Sequence, residues 1–366
     1  MKDRVLHYLL HGLLWLLVGT SLFIAAERAR SHRSSRNFNR LKIEILDSTS
    51  HGQLITREMV EGWLAESKPA LWGRDSKEPD LDRVEALIAR NGFVGEVNAS
   101  LGYDGELVIR IRQREPLFRL LADGYNHYVT EEGYLFRAPH RSSICVPVVT
   151  GSYRPPFESS FEGELSAHRA ASAEDHSANI EALEREKYPL FARERENIEY
   201  HRTTRRMFIR QGLLESDEHF EERVEKLRAE KRQRRRHYRY VQQQINRGID
   251  QISLKQQAER DRQKKLEKNY EDFENLITFV KKIEEESFWR SEIVQIITSQ
   301  AHSGALEVEL VPRSGAFTIR LGRLEEPMEK LERAEEFCHH GLGRLGWDRF
   351  RTINVAHRGQ VICTER

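Results

Sequence analysis

Cys338, His339 and His340 form the densest run of metal-ligand side chains in the chain. Consecutive residues on a helix project in different directions, so these three cannot close on one ion unaided. They read as a helix end carrying surface histidines. The other two cysteines, Cys145 and Cys363, are widely spaced and no CxxC occurs, so no structural zinc site is predicted. A Cys338–Cys363 bridge would suit an oxidising compartment; three thiols outside any disulfide, mostly buried, is the preferred reading. His7 and His11 lie four apart on one helical face of an apolar run. They are open to ligation or proton relay, and are read as neutral interfacial histidines. GxSxG, P-loop and HExxH patterns are all missing from the sequence. No catalytic, cofactor-binding or metal residue is therefore assigned, and an enzyme is not predicted. The remaining chemistry is charge. KRQRRRH (231–237) could meet an anionic partner such as a membrane surface. It also reads as a solvated helix face balanced by nearby Glu, the preferred reading.

The elements that would carry these residues begin with a membrane candidate. Residues 5–26 contain no Asp, Glu, Lys or Arg. At about 1.5 Å per residue they reach across a hydrocarbon core roughly 30 Å thick. The run is longer than a usual signal-peptide core and lacks a clear small-x-small cleavage site, so an uncleaved signal anchor is predicted. Lys2 and Arg4 precede it; Arg28, Arg30, Arg33, Arg36 and Arg40 follow. Taken alone, the positive-inside rule puts the bulk in the cytoplasm, but it weakens for long domains. Lys and Arg total 59 against 58 Asp and Glu, a balance that argues against a dedicated nucleic-acid binder. With 32% charged and 39% hydrophobic residues, the 366-residue chain suits small globular parts plus a long solvated helical part.

LKIEIL (41–46) alternates as a strand. Thr56 can cap a helix carrying Met59, Val60, Trp63 and Leu64. A second helix starts near Asp80 or Asp82, and Asn91–Gly92 ends it. Two strands follow, joined at Asp104–Gly105, giving the order β-α-α-β-β. YNHYVTEEGYLF reads as a hairpin turning at Glu131–Glu132–Gly133, and ICVPVVTG (144–151) as an apolar strand. Beyond residue 269, NLITFVKKIEEESFWRSEIVQII reads as an amphipathic helix. ALEVEL and AFTIRL form a hairpin about PRSG. Pro327 starts a helix lined by Met328, Leu331, Ala334 and Cys338, which Gly341 and Gly343 should end. RTINVAH, a turn at Arg358–Gly359, and QVICTE close the chain.

Between these parts, residues 157–268 are dense in charge and nearly free of Pro and Gly. Val224, Tyr238, Ile245, Ile252, Leu266, Phe273 and Val280 share a heptad column interrupted by Lys231 and Glu259. An imperfect coiled coil is predicted. An earlier helix would run through Ile180, Leu183, Phe191, Ile198 and Phe208, kinked at Pro189. Gly212 and Ser216–Asp217 would mark the turn of an antiparallel hairpin.

GELVIRIRQREP (105–116), in its β-α-α-β-β setting, resembles a POTRA domain. FW (288–289), EVELVPRSGAFTIRLG (307–322), KLERAEEF (330–337), GW (346–347) and INVAHRGQVICTER (353–366) resemble the β-domain of the FtsQ/DivIB cell-division family. The resemblance implies a membrane-anchored α+β protein: tail 1–4, anchor 5–26, juxtamembrane linker 27–40, POTRA-like domain 41–116, and a small β-domain (117–156 and 269–366) interrupted by the insertion 157–268. It implies a non-enzymatic, single-pass type II scaffold of the bacterial divisome, in the inner membrane at the septum, with its bulk in the periplasm. The expected partners are FtsB/FtsL-like proteins, with no nucleic acid and no cofactor, and the insertion is open to a further partner. The terminal strand offers a sheet edge, so Ile353, Val355, Arg358, Gln360, Val361, Ile362 and Thr364 are the candidate partner-binding residues. The alternative is a POTRA-containing adaptor of envelope secretion or outer-membrane assembly.

Overall fold

The computed structural model describes residues 15–28, 40–46, 52–66, 80–102, 106–139, 144–315 and 317–366. The architecture is mixed α+β. Residues 15–28 form a helix, α1, with exposed Trp15, Leu16, Leu17, Leu22, Phe23 and Ile24. Among the described residues no helix is long and apolar enough to cross a membrane. The first ten residues of the predicted 5–26 span, His7 and His11 included, lie outside them. So does the predicted Asp104–Gly105 turn.

Two compact units divide the chain: Met1–Thr150 with Ser291–Ile296, and Gly151–Arg290 with Ile297–Arg366. In the first, β1 (Arg40–Ile45), α2 (Arg57–Glu66), α3 (Leu81–Ile88), β2 (Val94–Leu101) and β3 (Glu106–Gln113) follow the predicted order. Thr56 Oγ1 accepts from Met59 N at 3.3 Å and Asp80 Oδ1 from Arg83 N at 3.3 Å, so both caps form. The helix rows Val60–Leu64 and Val84–Ile88 face the sheet β1–β3–β2, in which β3 runs parallel to β1 and antiparallel to β2. Gln113 Oε1 accepts from the amides of Leu54 and Ile55, at 2.7 and 2.8 Å, and so holds the entry to α2. β4 (Pro116–Ala122), β5 (Tyr125–Thr130) and β6 (Tyr134–Arg137) form an antiparallel meander, and β7 (Val148–Gly151) joins β4 in parallel. Gly133 turns β5 into β6 with φ +77°, as its sequence position predicts. Tyr128, Phe136 and Ala138 enter the same core as Ile55, Val60 and Ile109.

The second unit holds β8 (Gly163–Glu164) and two long helices, α4 (Leu165–Arg206) and α5 (Asp217–Glu285). Their contacts run in opposite directions along the chain: Arg169 meets Glu267 and Glu274, His176 meets Glu259, Lys187 meets Gln256, and Asn197 meets Tyr238. They are an antiparallel pair. At about 1.5 Å per residue, the 69 residues of α5 reach roughly 100 Å.

The seam departs from the predicted coiled coil. Gln256 and Glu259 are buried in it beside Val241 and Ile245. Glu259 is not an interruption but a seam residue, accepting from His176 Nδ1 at 2.7 Å and Asn179 Nδ2 at 3.3 Å. On α4 the packing positions include Leu190 beside Gly248, and buried Asn197 and Thr204. Phe191 and Ile198 are exposed, and Phe208 lies beyond the helix. On α5 the predicted column is the packing face, with Ile245, Glu259, Phe273 and Val280 buried along it; on α4 polar and other positions replace the apolar residues that counting selects.

The base of α5 is apolar: Tyr270, Phe273, Leu276, Ile277, Val280 and Ile283 are buried. The helix predicted across NLITFVKKIEEESFWRSEIVQII is divided. α5 stops at Glu285, α6 spans Ser287–Glu292, and Ile293–Gln300 is strand β9. Four β-branched residues in the stretch Ile293–Ile297 favour the strand. Within this unit the order runs from the Ile297–Gln300 end of β9 through β10 (Leu306–Pro312), β11 (Thr318–Arg323) and β12 (Phe350–Asn354) to β13 (Ile362–Glu365). α7 (Pro327–Glu336) begins at Pro327 as predicted, but Gly341 and Gly343 do not end the helical path. It continues as a π-helical turn over Phe337–Leu342 and stops at Gly346, where φ is +96°.

Candidate partner-binding edge

β12 and β13 are formed by the two alternating runs on either side of the turn at Arg358–Gly359, where Gly359 supplies φ +66°. β12 lies parallel to β11, pairing Thr318 with Thr352 and Ile319 with Ile353. β13 then pairs antiparallel with β12: Asn354 with Ile362, Ile353 with Cys363, and Thr352 with Thr364. β13 is the last strand in the order, so among the described residues one of its sides carries no neighbouring strand. Unpaired amides and carbonyls on such a side can receive an added strand.

The candidate residues separate into two groups. Ile353 and Val355 are fully buried and belong to the core. Gln360, Ile362, Thr364 and Arg358 are exposed, and Val361 is half-buried. Ile362 presents 46% of its surface, an apolar side chain on an outermost strand. Arg358 is exposed, yet not idle: its guanidinium forks onto the Glu326 carboxylate, with Nε donating to Oε2 at 3.0 Å. Glu326 precedes Pro327 and has φ +48°, a left-handed conformation rare for a residue with a Cβ. Sequence reading missed this partner because 32 positions separate the two residues. Arg349 Nη2 likewise donates to Glu365 Oε1 at 2.8 Å and pins the end of β13.

Beneath the edge, Lys330 Nζ donates to the Arg323 carbonyl at 2.6 Å, and burial lowers its pKa. Arg333 Nη2 donates to the Val355 carbonyl at 3.2 Å. These bonds tie α7 to the strands under β13. Cys363 is half-buried, which raises its thiol pKa; Cys338 is buried and Cys145 exposed, and no disulfide joins them. Cys145 thus departs from the expected burial. His339 and His340 sit in the π-helical turn after α7. Among the described residues no group of three or more His, Cys, Asp or Glu could hold a metal ion.

The fold and edge define a class: an α+β protein whose terminal sheet ends in an open strand, backed by a short helix and the base of a long one. Residues 257–364 match the protein family described as FtsQ/DivIB, C-terminal related, and the chain is FtsQ/DivIB-like. The match begins within α5 and ends on β13, and the outer part of the helical pair lies outside it. FtsQ/DivIB proteins are a non-catalytic family, and the match points to a role in cell division. No curated protein matches the chain.

Proposed function

We propose that this protein is a non-enzymatic scaffold of the bacterial divisome that captures a strand of an FtsB/FtsL-like partner on the outer side of β13. The observation that carries this reading is the open strand β13 inside the FtsQ/DivIB-like segment. Ile362 and Thr364 on it, and Gln360 just before it, are exposed, while Ile353 and Val355 hold the strand pair to the core. Main-chain pairing supplies the affinity in such complexes, and side chains at alternate positions supply the selection.

The β-α-α-β-β part of the first unit, with β3 between β1 and β2, is read as a POTRA-like recruitment module. The chain is read as a single-pass type II protein of the inner membrane with its bulk in the periplasm. This anchor rests on the apolar run 5–26; α1 exposes apolar side chains from Trp15 to Ile24, but no helix among the described residues is long and apolar enough to cross a membrane. Depletion of the protein from its host tests the division role. Filamentous or chained cells are expected; normal septa at normal spacing would contradict it.

A further inference from the structure

The loop 207–216 that joins α4 to α5 puts three large apolar side chains into solvent. Phe208 is 71% exposed, Leu213 106% and Leu214 103%. Values above 100% describe side chains that stand clear of their own surroundings. The chain around them is strongly basic. Residues 200–239 hold thirteen Arg and Lys against seven Asp and Glu, and eleven of the thirteen are Arg. Residues 200–214 carry four arginines and no acid, and residues 231–249 carry seven basic residues and no acid. The antiparallel pairing brings these two stretches together: the His201 and Tyr238 rings stack at 4.3 Å, and Arg234 lies 5.5 Å from the Tyr200 ring centre.

Several acids of the region are already engaged. Glu215 is held by His219 at 3.0 Å and Arg223 at 2.7 Å, Glu222 by Lys226, and Glu230 by Arg234. Asp217 accepts from Gln211 at 2.8 Å. Arg232, Arg235 and Arg236 are exposed.

We propose that this end of the helical pair docks on an anionic phospholipid bilayer, with Phe208, Leu213 and Leu214 entering between headgroups and the arginines engaging lipid phosphates. Protruding side chains on a narrow loop suit a yielding medium, whereas a protein partner would have to supply a matching pocket for each. Guanidinium groups fork onto phosphate oxygens and retain their charge against a surface. Apolar insertion combined with electrostatic attraction is the usual physical basis of interfacial binding. The inference is independent of the β13 edge and goes beyond the divisome reading.

The test mixes the full chain, held in phosphatidylcholine discs, with pelletable vesicles. The vesicles are phosphatidylcholine alone, or about three parts phosphatidylcholine to one of phosphatidylglycerol. Roughly tenfold or greater enrichment on the anionic vesicles is expected, falling steeply with added salt. Leu213→Ser with Leu214→Ser, and separately Arg232→Gln, Arg235→Gln and Arg236→Gln together, should each abolish most of it. Circular dichroism should be unchanged in both variants, because all five side chains are exposed. No enrichment over phosphatidylcholine would overturn the proposal, as would enrichment that either variant leaves intact. Polyglutamate displacing the wild type and the leucine variant equally would assign the site to acidic polymers, and would also overturn it.

Discussion

Glu215 fixes the loop at the far end of the helical pair. Its carboxylate accepts from His219, from the Gly212 amide at 2.9 Å and from Arg223; these bonds, His219 first, pull its pKa down to about 2. A carboxylate with a depressed folded pKa supports its structure above the unfolded pKa and loses that support as pH falls through the folded one. Protection of the Gly212 amide against hydrogen exchange should therefore hold at neutral pH and decline between about 4.5 and about 2. Glu215→Gln should show the loss already at pH 7. Gly151 makes a steric counterpart. It has φ +120°, and a Cβ there would fall onto the Thr298 carbonyl oxygen. Gly151→Ala should cost more than about 1 kcal/mol in thermal unfolding; an unchanged melting temperature would refute that backbone account. The residue scale was partly legible in the sequence. The caps Thr56 and Asp80 and the turn glycines Gly133 and Gly359 announce themselves through local chemistry. The pairing of Arg358 with Glu326 does not, because it is made by the fold.

The element scale turns on the helical pair. His176 stands against the buried Glu259, whose pKa is held below the usual carboxylate range first by that bond, with Asn179 and Arg262 adding to it. His176→Ala leaves a buried acceptor short of one partner and should cost about 1–3 kcal/mol, read as a lower unfolding midpoint of the helical signal. An unchanged midpoint would show that the polar seam is solvated. The apolar base of α5 and the outer pair should also separate. Replacing residues 173–262 with a short Gly/Ser linker keeps the Arg169 bonds to Glu267 and Glu274 and the His168–Tyr270 hydrogen bond, so its ends stay close. The shortened chain should retain cooperative unfolding, since closing a loop depends only weakly on its length. Loss of cooperativity would place the outer helices in the folding core. The long helices, their turn near Gly212 and the packing column of α5 were legible from charge density, punctuation and heptad spacing, but the packing face of α4 was not. Leu190 and Asn197 line the seam where Phe191 and Ile198 invited the assignment. Ile293–Ile297 fits either period; its four β-branched residues tip it towards the extended form that the sheet adopts.

At the scale of the whole molecule, the proposed orientation conflicts with the arginines after the predicted span. A reporter active only outside the cytoplasm, fused after Arg366, should be active. Activity of a cytoplasmic reporter at the same point would reverse the orientation. The sequence carried the strand pattern of the C-terminal part well, because alternation and turn residues are local; it could not say which strand ends the sheet. Capture of a partner strand by β13 is tested most directly by amide hydrogen exchange. The full chain should be compared with and without the extracytoplasmic segment of an FtsB-like partner. New protection is expected, concentrated on Val361–Glu365 and lost in Ile362→Asp while circular dichroism stays unchanged. Partner binding with no change in exchange along β13, or binding that Ile362→Asp leaves intact, would contradict it.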